Sequence, residues 1–520
     1  VLACKMRSIK EEAKRFCQTT SIKGVPRIMR SQSNLLCLIW TLAVISFLSV
    51  ALYQTVYLVI NYFQYSTITI VKEKSIDLSS APDIAICNSH PLSSLSEEAK
   101  NNMSSLREFH WHLNALTNCS NCSTAEMKLR KNMQQRLSSP YGYYQFIGKE
   151  AAKAASHLES DILVDCSLVV LRGSSFEHVP CDGRVEISHH MTINNFNCYK
   201  VHALVPTYGY SFISYIDYTY MDDIDSGELD FESDINTNTG LVIYLVESQT
   251  LWSSITMQTW LSPGTFNNIQ FLAQKKESLG PPYGSCKTYD MERYNISYKM
   301  SFAPCINLCK EREIAKACKC RDPTTLSYLD NIGLVSEMPY CANVSSSAEM
   351  IVKYKSCADK NAQEKARQCI SSCPTSCSYM RYTPSVTSSP WPSHRSLRSF
   401  YKAYIEGHRY ETHFKSAWQQ MLNGSKQPFN DLVRENFVKY QIVPANFRYL
   451  HIKDQPQVTL VNLLSQLGGI LNLWCGITVF ITIEIVEFII RMLGNDKHSQ
   501  TVQPNKLKIK ECGDPFSKKT

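Results

Sequence analysis

Two stretches of this sequence carry no charge at all. No Asp, Glu, Lys or Arg occurs between residues 31 and 71, nor between Gln455 and Ile483. Each is long enough to cross a bilayer as a helix, which argues against an ordinary soluble chain. Over the whole 520 residues, charged side chains make up 19% and the net charge is a modest +8, as in ordinary folded protein. No basic stripe is interleaved with aromatics, so nucleic acid is not an expected partner. No nucleophile motif or metal-ligand spacing surrounds His90, His110 or His112, so neither an enzyme, a metal nor a cofactor is expected. A cleavable leader is not expected either, because the first apolar run starts about 35 residues in and is too long for one. The chain starts at Val1 rather than methionine, so a longer reading frame is expected.

What is present fits a two-span membrane protein. Residues 1 to 30 are basic, with Lys5, Arg7, Lys10, Lys14, Arg15, Lys23, Arg27 and Arg30 against Glu11 and Glu12. Positive charge beside a span marks the cytoplasmic side. We therefore expect a cytoplasmic segment at 1–34, a first span at 35–63, an extracellular domain at 64–457, a second span at 458–493 and a cytoplasmic tail at 494–520. The aromatics Tyr57, Tyr62, Phe63 and Tyr65 suit a helix leaving a plasma membrane.

Of the 21 cysteines, Cys4, Cys17, Cys37, Cys475 and Cys512 lie in or beside the spans and tails; the other sixteen fall between Cys87 and Cys377. An even set between two spans suggests disulfides on the oxidising side, with the pairing open. Zinc is the rival reading, but clean paired Cys-x-x-Cys knuckles are lacking. The Asn-x-Ser/Thr triplets at Asn102, Asn118, Asn121, Asn295, Asn343 and Asn423 all sit in the same interval, as expected of glycosylation sites. Residues 92–160 read as polar helices. Ile162 to Leu171, Tyr210 to Tyr220, Gly240 to Val246 and Asn268 to Leu272 read as strands of an antiparallel sheet.

The second uncharged stretch is a poor lipid-facing helix. Thr459, Asn462, Ser465, Gln466, Asn472, Thr478 and Thr482 are polar, and Gly468, Gly469 and Gly476 loosen it. Such a helix suits a pore wall, or an anchor that packs closely through small residues. Helical spacing puts Gln466, Gly469, Ile470 and Leu473 on one face, and Glu484 with Glu487 on another. Elsewhere, Asp217, Asp222, Asp223, Asp225, Glu228, Asp230, Glu232 and Asp234 form an acidic run without a basic residue. A solvated loop is the plain reading; clustered carboxylates also suit proton sensing or a cationic ligand.

Specific wording adds to this. Leu464-Ser465-Gln466-Leu467-Gly468-Gly469, Leu473-Trp474-Cys475-Gly476-Ile477-Thr478 and Glu484-Ile485-Val486-Glu487 resemble the second span of the degenerin/epithelial sodium channel family. The resemblance extends to Pro82 through Asn88, to Gly280 through Cys286 and to the cysteines from Cys286 to Cys377, covering about residues 20 to 492. It implies a trimer of palm, finger and thumb type, an α+β domain between two membrane helices. It implies sodium selectivity at Gly476-Ile477-Thr478, where Thr stands for the commoner Ser, and an outer pore lined by Gln466, Gly469, Ile470 and Leu473. Ser465 matches a gating position, Asn472 one linked to amiloride, and Glu484 with Glu487 would gather cations at the inner mouth. Lys23-Gly24 sits where the family has a His-Gly gating pair; Lys is a departure. A basic segment attracted to anionic lipid is the plainer reading of that stretch. The wording is most similar to invertebrate channels gated by FMRFamide-type peptides. Proton gating is the alternative, and a non-conducting two-span receptor or adhesion subunit stays open. Homomeric and mixed assemblies are equally compatible with the sequence.

Overall fold

The computed structural model describes residues 2–75, 81–96, 99–173, 175–217, 239–248, 250, 258–287, 302–323 and 338–494. The chain forms two compact units, one of Val1–Ile68 with Pro456–Thr520, the other of Thr69–Gln455.

The first unit opens with helices α1 (Leu2–Thr19), α2 (Val25–Arg30) and α3 (Asn34–Phe63). Alone among the described helices, α3 is by itself long and apolar enough to span a membrane. Leu35, Ile39, Leu42, Leu52 and Tyr57 lie exposed along it, as lipid-facing side chains would.

The second unit holds thirteen described strands in two sheets. β1 (Thr67–Ser75), β3 (Leu163–Arg172), β4 (Ser175–Pro180), β7 (Gly209–Tyr215), β10 (Thr265–Glu277), β11 (Ser378–Pro390), β12 (Phe437–Pro444) and β13 (Arg448–Pro456) form one. Its order is β1-β13-β10-β12-β7-β3-β4, with β11 also on β10. β2 (Asp83–Asn88), β5 (Val185–Thr192), β6 (Phe196–Ala203), β8 (Leu241–Val246) and β9 (Gln258–Leu261) form the other, in the order β5-β6-β2-β8-β9. This corrects the single antiparallel sheet expected from the sequence. There are two sheets, and the larger is mixed, since β10 runs parallel to both β12 and β13. β2 and β8 are buried along their whole length, which explains their unbroken apolar runs. Ile84, Ile86, Val201 and Ile243 from one sheet meet Phe212, Ile269, Val438 and Tyr440 from the other in a common core.

Helices cap this core. α4 (Ala99–Ala115), α5 (Thr124–Leu137) and α6 (Pro140–Ala155) bury Leu106, Phe109, Leu137 and Tyr143 together, and the short α7 (Glu159–Ile162) leads into β3. Ser123 caps α5 by accepting from the Glu126 N–H, the first half of a capping box. α8 (Phe302–Cys318) and α9 (Ala348–Ser372) lie side by side, joined by Cys305–Cys373, Cys309–Cys369 and Cys318–Cys357. Cys286–Cys377 and Cys320–Cys341 bracket the pair. Cys87–Cys198, Cys119–Cys122 and Cys166–Cys181 complete eight bonds, so all sixteen cysteines of the interval are paired. α10 (Leu397–Tyr404), α11 (Glu411–Leu422) and α12 (Gln427–Asn436) pack Phe400, Phe414 and Phe429 near Tyr215 and Phe437.

A buried charge cluster ties α5 and α6 to α9. Lys355 Nζ lies 3.1 Å from both Asp322 and Asp359 and donates to the Tyr141 hydroxyl at 2.8 Å. Tyr141 also donates to Asp322, and Arg136 pairs with Asp359. Burial alone would lower the Lys355 pKa, but Tyr141 and Asp322 overcome it and hold the ammonium charged.

The chain ends its described part in the first unit with α13 (Leu460–Cys475) and α14 (Phe480–Gly494). The expected second span at 458–493 is therefore not one helix. Leu460–Cys475 and Phe480–Arg491 are long and apolar enough only together, and they bend by 69° at the break between them.

Candidate functional site

The break has a local cause. Gly476 ends α13 with φ +68°, a left-handed conformation that favours glycine. Its N–H still reaches the Asn472 carbonyl, and the Ile477 N–H returns to Leu471. Thr478 and Val479 then open α14 by accepting from Ile481 and Thr482. Ile477 is half-buried, while Thr478 is exposed. The tripeptide singled out from the sequence thus occupies the kink.

A segment from the other end of the chain docks there. The Lys23 N–H donates to the Cys475 carbonyl at 3.0 Å. A Cβ built on Gly476 would lie 2.5 Å from Lys23 Cγ, so the Lys23 stem lies across the glycine. Gly24, at φ +94°, comes equally close to α3: a Cβ there would meet Val44 Cγ2 at 2.4 Å. Below the kink, Glu484 accepts from the Thr20 hydroxyl at 3.0 Å and from the Ser21 N–H at 3.1 Å. Phe16 and Phe488 meet with ring centroids 4.9 Å apart. Above it, Trp474 donates to Gln54 of α3 at 2.9 Å.

The two faces of α13 differ in character. Leu463 is buried, and Leu467, Leu471 and Trp474 are half-buried, on the side toward α3. Asn462, Ser465, Gln466, Gly469, Asn472 and Leu473 are exposed on the other. A Cβ on Gly468 or Gly469 would meet nothing within 4 Å. Ile470, expected with Gln466, is half-buried at the flank, because it stands closer around the helix to Leu463 and Trp474. Glu487 pairs with Arg491 one turn on, and with Glu484 it borders a polar cavity that also includes Glu12 and Arg15.

Comparison with protein families matches residues 16–488 to the family described as amiloride-sensitive sodium channel. The chain belongs to this family. Its members are ion channels, not enzymes. The FMRFamide-activated amiloride-sensitive sodium channel of Cornu aspersum is 23% identical over 91% of this chain and 81% of its own. The bile acid-sensitive ion channel of Homo sapiens is 22% identical over 96% and 92%. An epithelial sodium channel subunit beta of Xenopus laevis is 26% identical over 44% and 32%.

Other candidates named from the sequence belong to the second unit of this sodium channel family chain. Asp217 is buried and already engaged: it accepts from the Ser94 N–H at 2.6 Å and from the Ser93 and Ser94 hydroxyls. Asp222, Asp223, Asp225, Glu228 and Asp230 lie outside the described residues, as does Asn295. Asn118, Asn121 and Asn423 are exposed. Asn343 is half-buried, and its side-chain oxygen accepts from Ser345. Asn102 is a residue of α4. Among the described residues no group of His, Cys, Asp and Glu could hold a metal ion.

Thr20, Ser21 and Gln54 were not singled out from the sequence. Their partners lie 464, 463 and 420 residues away, so no local pattern marks them.

Proposed function

We propose that the chain is a subunit of a sodium-selective, amiloride-sensitive plasma-membrane channel opened by an extracellular FMRFamide-type peptide. The observation that carries the channel reading is the docking of Thr20–Gly24 on the kink, beside a helix face that is polar, glycine-bearing and exposed. A face of this kind at membrane depth needs water or a partner helix. Two spans from one chain cannot enclose a pore, so copies of this chain, or related subunits, assemble around an axis; a trimer is the family expectation.

In this reading, Gln466, Gly469 and Leu473 line the outer pore, with Ile470 at its flank. Gly476, Ile477 and Thr478 form the constriction, where exposed carbonyls or the Thr478 hydroxyl replace ion hydration. Lys23 and Gly24 brace it from the cytoplasmic side. Ser465 is a gating position, and Asn472 a position that influences block. Glu484 acts first as a clasp for Thr20 and Ser21, while Glu487 contributes negative charge at the inner mouth. Both termini are cytoplasmic, and the Thr69–Gln455 unit is extracellular. Peptide gating is supported by the Cornu aspersum relative, similar across nine-tenths of the chain. The acidic run that follows Asp217 would attract such a cationic ligand.

Voltage clamp of cells expressing the chain alone tests this. Inward sodium current on peptide application, reduced by amiloride, supports the proposal. Current only in acid, or only with a bile acid, moves the ligand. The bile acid arm is included because that relative covers slightly more of the chain. Surface protein that conducts under none of these conditions would favour a missing subunit or a non-conducting role. A bulky residue at Ser465 then tests whether a pore exists.

A further inference from the structure

We propose that Asn121 is a redox-gated glycan acceptor, which closure of the Cys119–Cys122 disulfide bars from modification. The inference rests on the extracellular assignment of the second unit and goes beyond it.

Two acceptor triplets stand back to back at the corner between α4 and α5: Asn118-Cys119-Ser120 and Asn121-Cys122-Ser123. In both the middle residue is a cysteine, unlike the triplets at Asn102, Asn295, Asn343 and Asn423. The two cysteines are bonded to each other, so Asn121 sits inside the ring that the bond closes. This bond joins residues 3 apart in sequence, whereas the other seven join residues 15 to 111 apart. The long ones wait for distant strands and helices to meet. The short one does not, because closing it costs little chain entropy. At about 5–20 residues per second, Cys122 follows Cys119 within about 0.2–0.6 s. Ring closure and glycan transfer therefore compete for the same nascent residues.

Each reaction has its own co-reactant. Closure removes two protons and two electrons from the thiols and passes them to a disulfide of the secretory compartment, which becomes a dithiol. Glycan transfer joins the Asn121 side-chain nitrogen to the anomeric carbon of a lipid-linked oligosaccharide diphosphate. The lipid diphosphate leaves, and the nitrogen loses one proton.

Closure decides the competition by geometry. The Cα atoms of Cys119 and Cys122 stand 5.7 Å apart, whereas three residues of free chain extend to about 10 Å. A transferase that must hold both the Asn amide and the hydroxyl two residues on needs free chain. That hydroxyl, on Ser123, is also engaged once α5 forms, accepting from the Glu126 N–H at 3.2 Å. Asn121 itself is exposed, so a glycan added before closure fits the fold. Nor do α4 and α5 need the ring to stay together. Gln134 donates to Asn114 at 2.9 Å, and Leu106, Phe109 and Leu137 share one core.

Glycopeptide mass spectrometry of the full chain made in cells tests this. In an N118Q background, which removes the neighbouring acceptor, Asn121 should be occupied in a minor fraction of chains. C119S opens the ring and leaves Asn121-Cys122-Ser123 intact, so occupancy should rise to the major fraction. A pulse of dithiothreitol during synthesis should give the same rise without C119S, which decides the matter if C119S folds poorly. C318S/C357S removes a bond made later, between α8 and α9, and should leave Asn121 occupancy unchanged. Near-complete occupancy of Asn121 with Cys119 and Cys122 both present overturns the proposal. So does occupancy that stays low in a folded C119S chain or under dithiothreitol, and so does an equal rise in C318S/C357S. Glycan at Asn423 or another triplet, with Asn121 unresponsive, removes the gate and leaves the extracellular assignment standing. Chains without glycan at any triplet overturn both.

Discussion

Lys23 and Gly476 share one small space from opposite ends of the chain: a methyl group on Gly476 would sit 2.5 Å from Lys23 Cγ. The substitution G476A should therefore be damaging twice over. It places a side chain at φ +68°, costing about 1–2 kcal/mol, and it displaces Lys23. Shortening Lys23 removes only the second penalty. We expect K23A/G476A to recover part of the current lost in G476A, with a coupling of about 0.5–3 kcal/mol in the double-mutant cycle. Additive effects would show that the contact does not matter.

The faces of α13 predict a reactivity pattern. Cysteines placed at Asn462, Gln466 and Leu473 should react readily with a water-soluble thiol reagent. Cysteine at the buried Leu463 should react at least tenfold more slowly, on the order of a 1.4 kcal/mol difference in access. Equal rates would mean the face is misassigned.

Glu484 accepts two hydrogen bonds from the Thr20–Ser21 turn, and hydrogen bonds to a charged group are worth about 1.5–3 kcal/mol each. Converting Glu484 to Ala should release the N-terminal segment, read as faster proteolysis after α1. T20V should give a smaller effect. Unchanged cleavage in E484A would remove the clasp from the mechanism.

Lys355 bridges Asp322 and Asp359 while almost fully buried. K355M leaves the buried Asp322 without its cation, while Asp359 keeps Arg136, and breaking a buried pair in this way costs about 3–5 kcal/mol. The thermal midpoint should fall sharply, and D322N added to K355M should restore part of the loss. A double mutant no better than K355M would place the cost elsewhere.

Glu277 gives a dependence on pH. Lys275 first, then His451, hold its pKa down to about 2, against an ordinary 4.5. A depressed carboxylate stabilises the fold fully above pH 4.5, and that contribution disappears as pH falls toward 2. E277Q should flatten the fall in thermal midpoint across that window and leave the profile above about pH 5 unchanged.

Much of the architecture was legible because it is written locally. The uncharged stretches marked the apolar segments of the first unit, short β-rich runs marked β3, β7, β8 and β10, and Gly476 was one of three glycines read as loosening the second apolar segment. The cysteine interval announced staples, yet their pairing depends on which helices lie together. β10 was legible as a strand, but its parallel neighbours β12 and β13 come from some 170 residues later in the chain, with Phe266 facing Lys439. The same holds for the Lys355 cluster, since Tyr141 is 214 residues from Lys355. Asp217 shows how burial adds what a local pattern lacks. It reads as the first member of an acidic run, but burial beside Ser93 and Ser94 makes it a structural acceptor.

The clasp between Thr20 and Glu484 also sets an order of events at the ribosome. Thr20 is synthesised 464 residues before its partner. At about 5–20 residues per second, the N-terminal turn waits on the order of 20–90 s for the helix that receives it. Throughout that interval α3 is already made, while Lys23 and Ser21 have no kink to dock on. A chain truncated before Leu460 would carry an unfinished turn beside its first span, a difference that quality control could read.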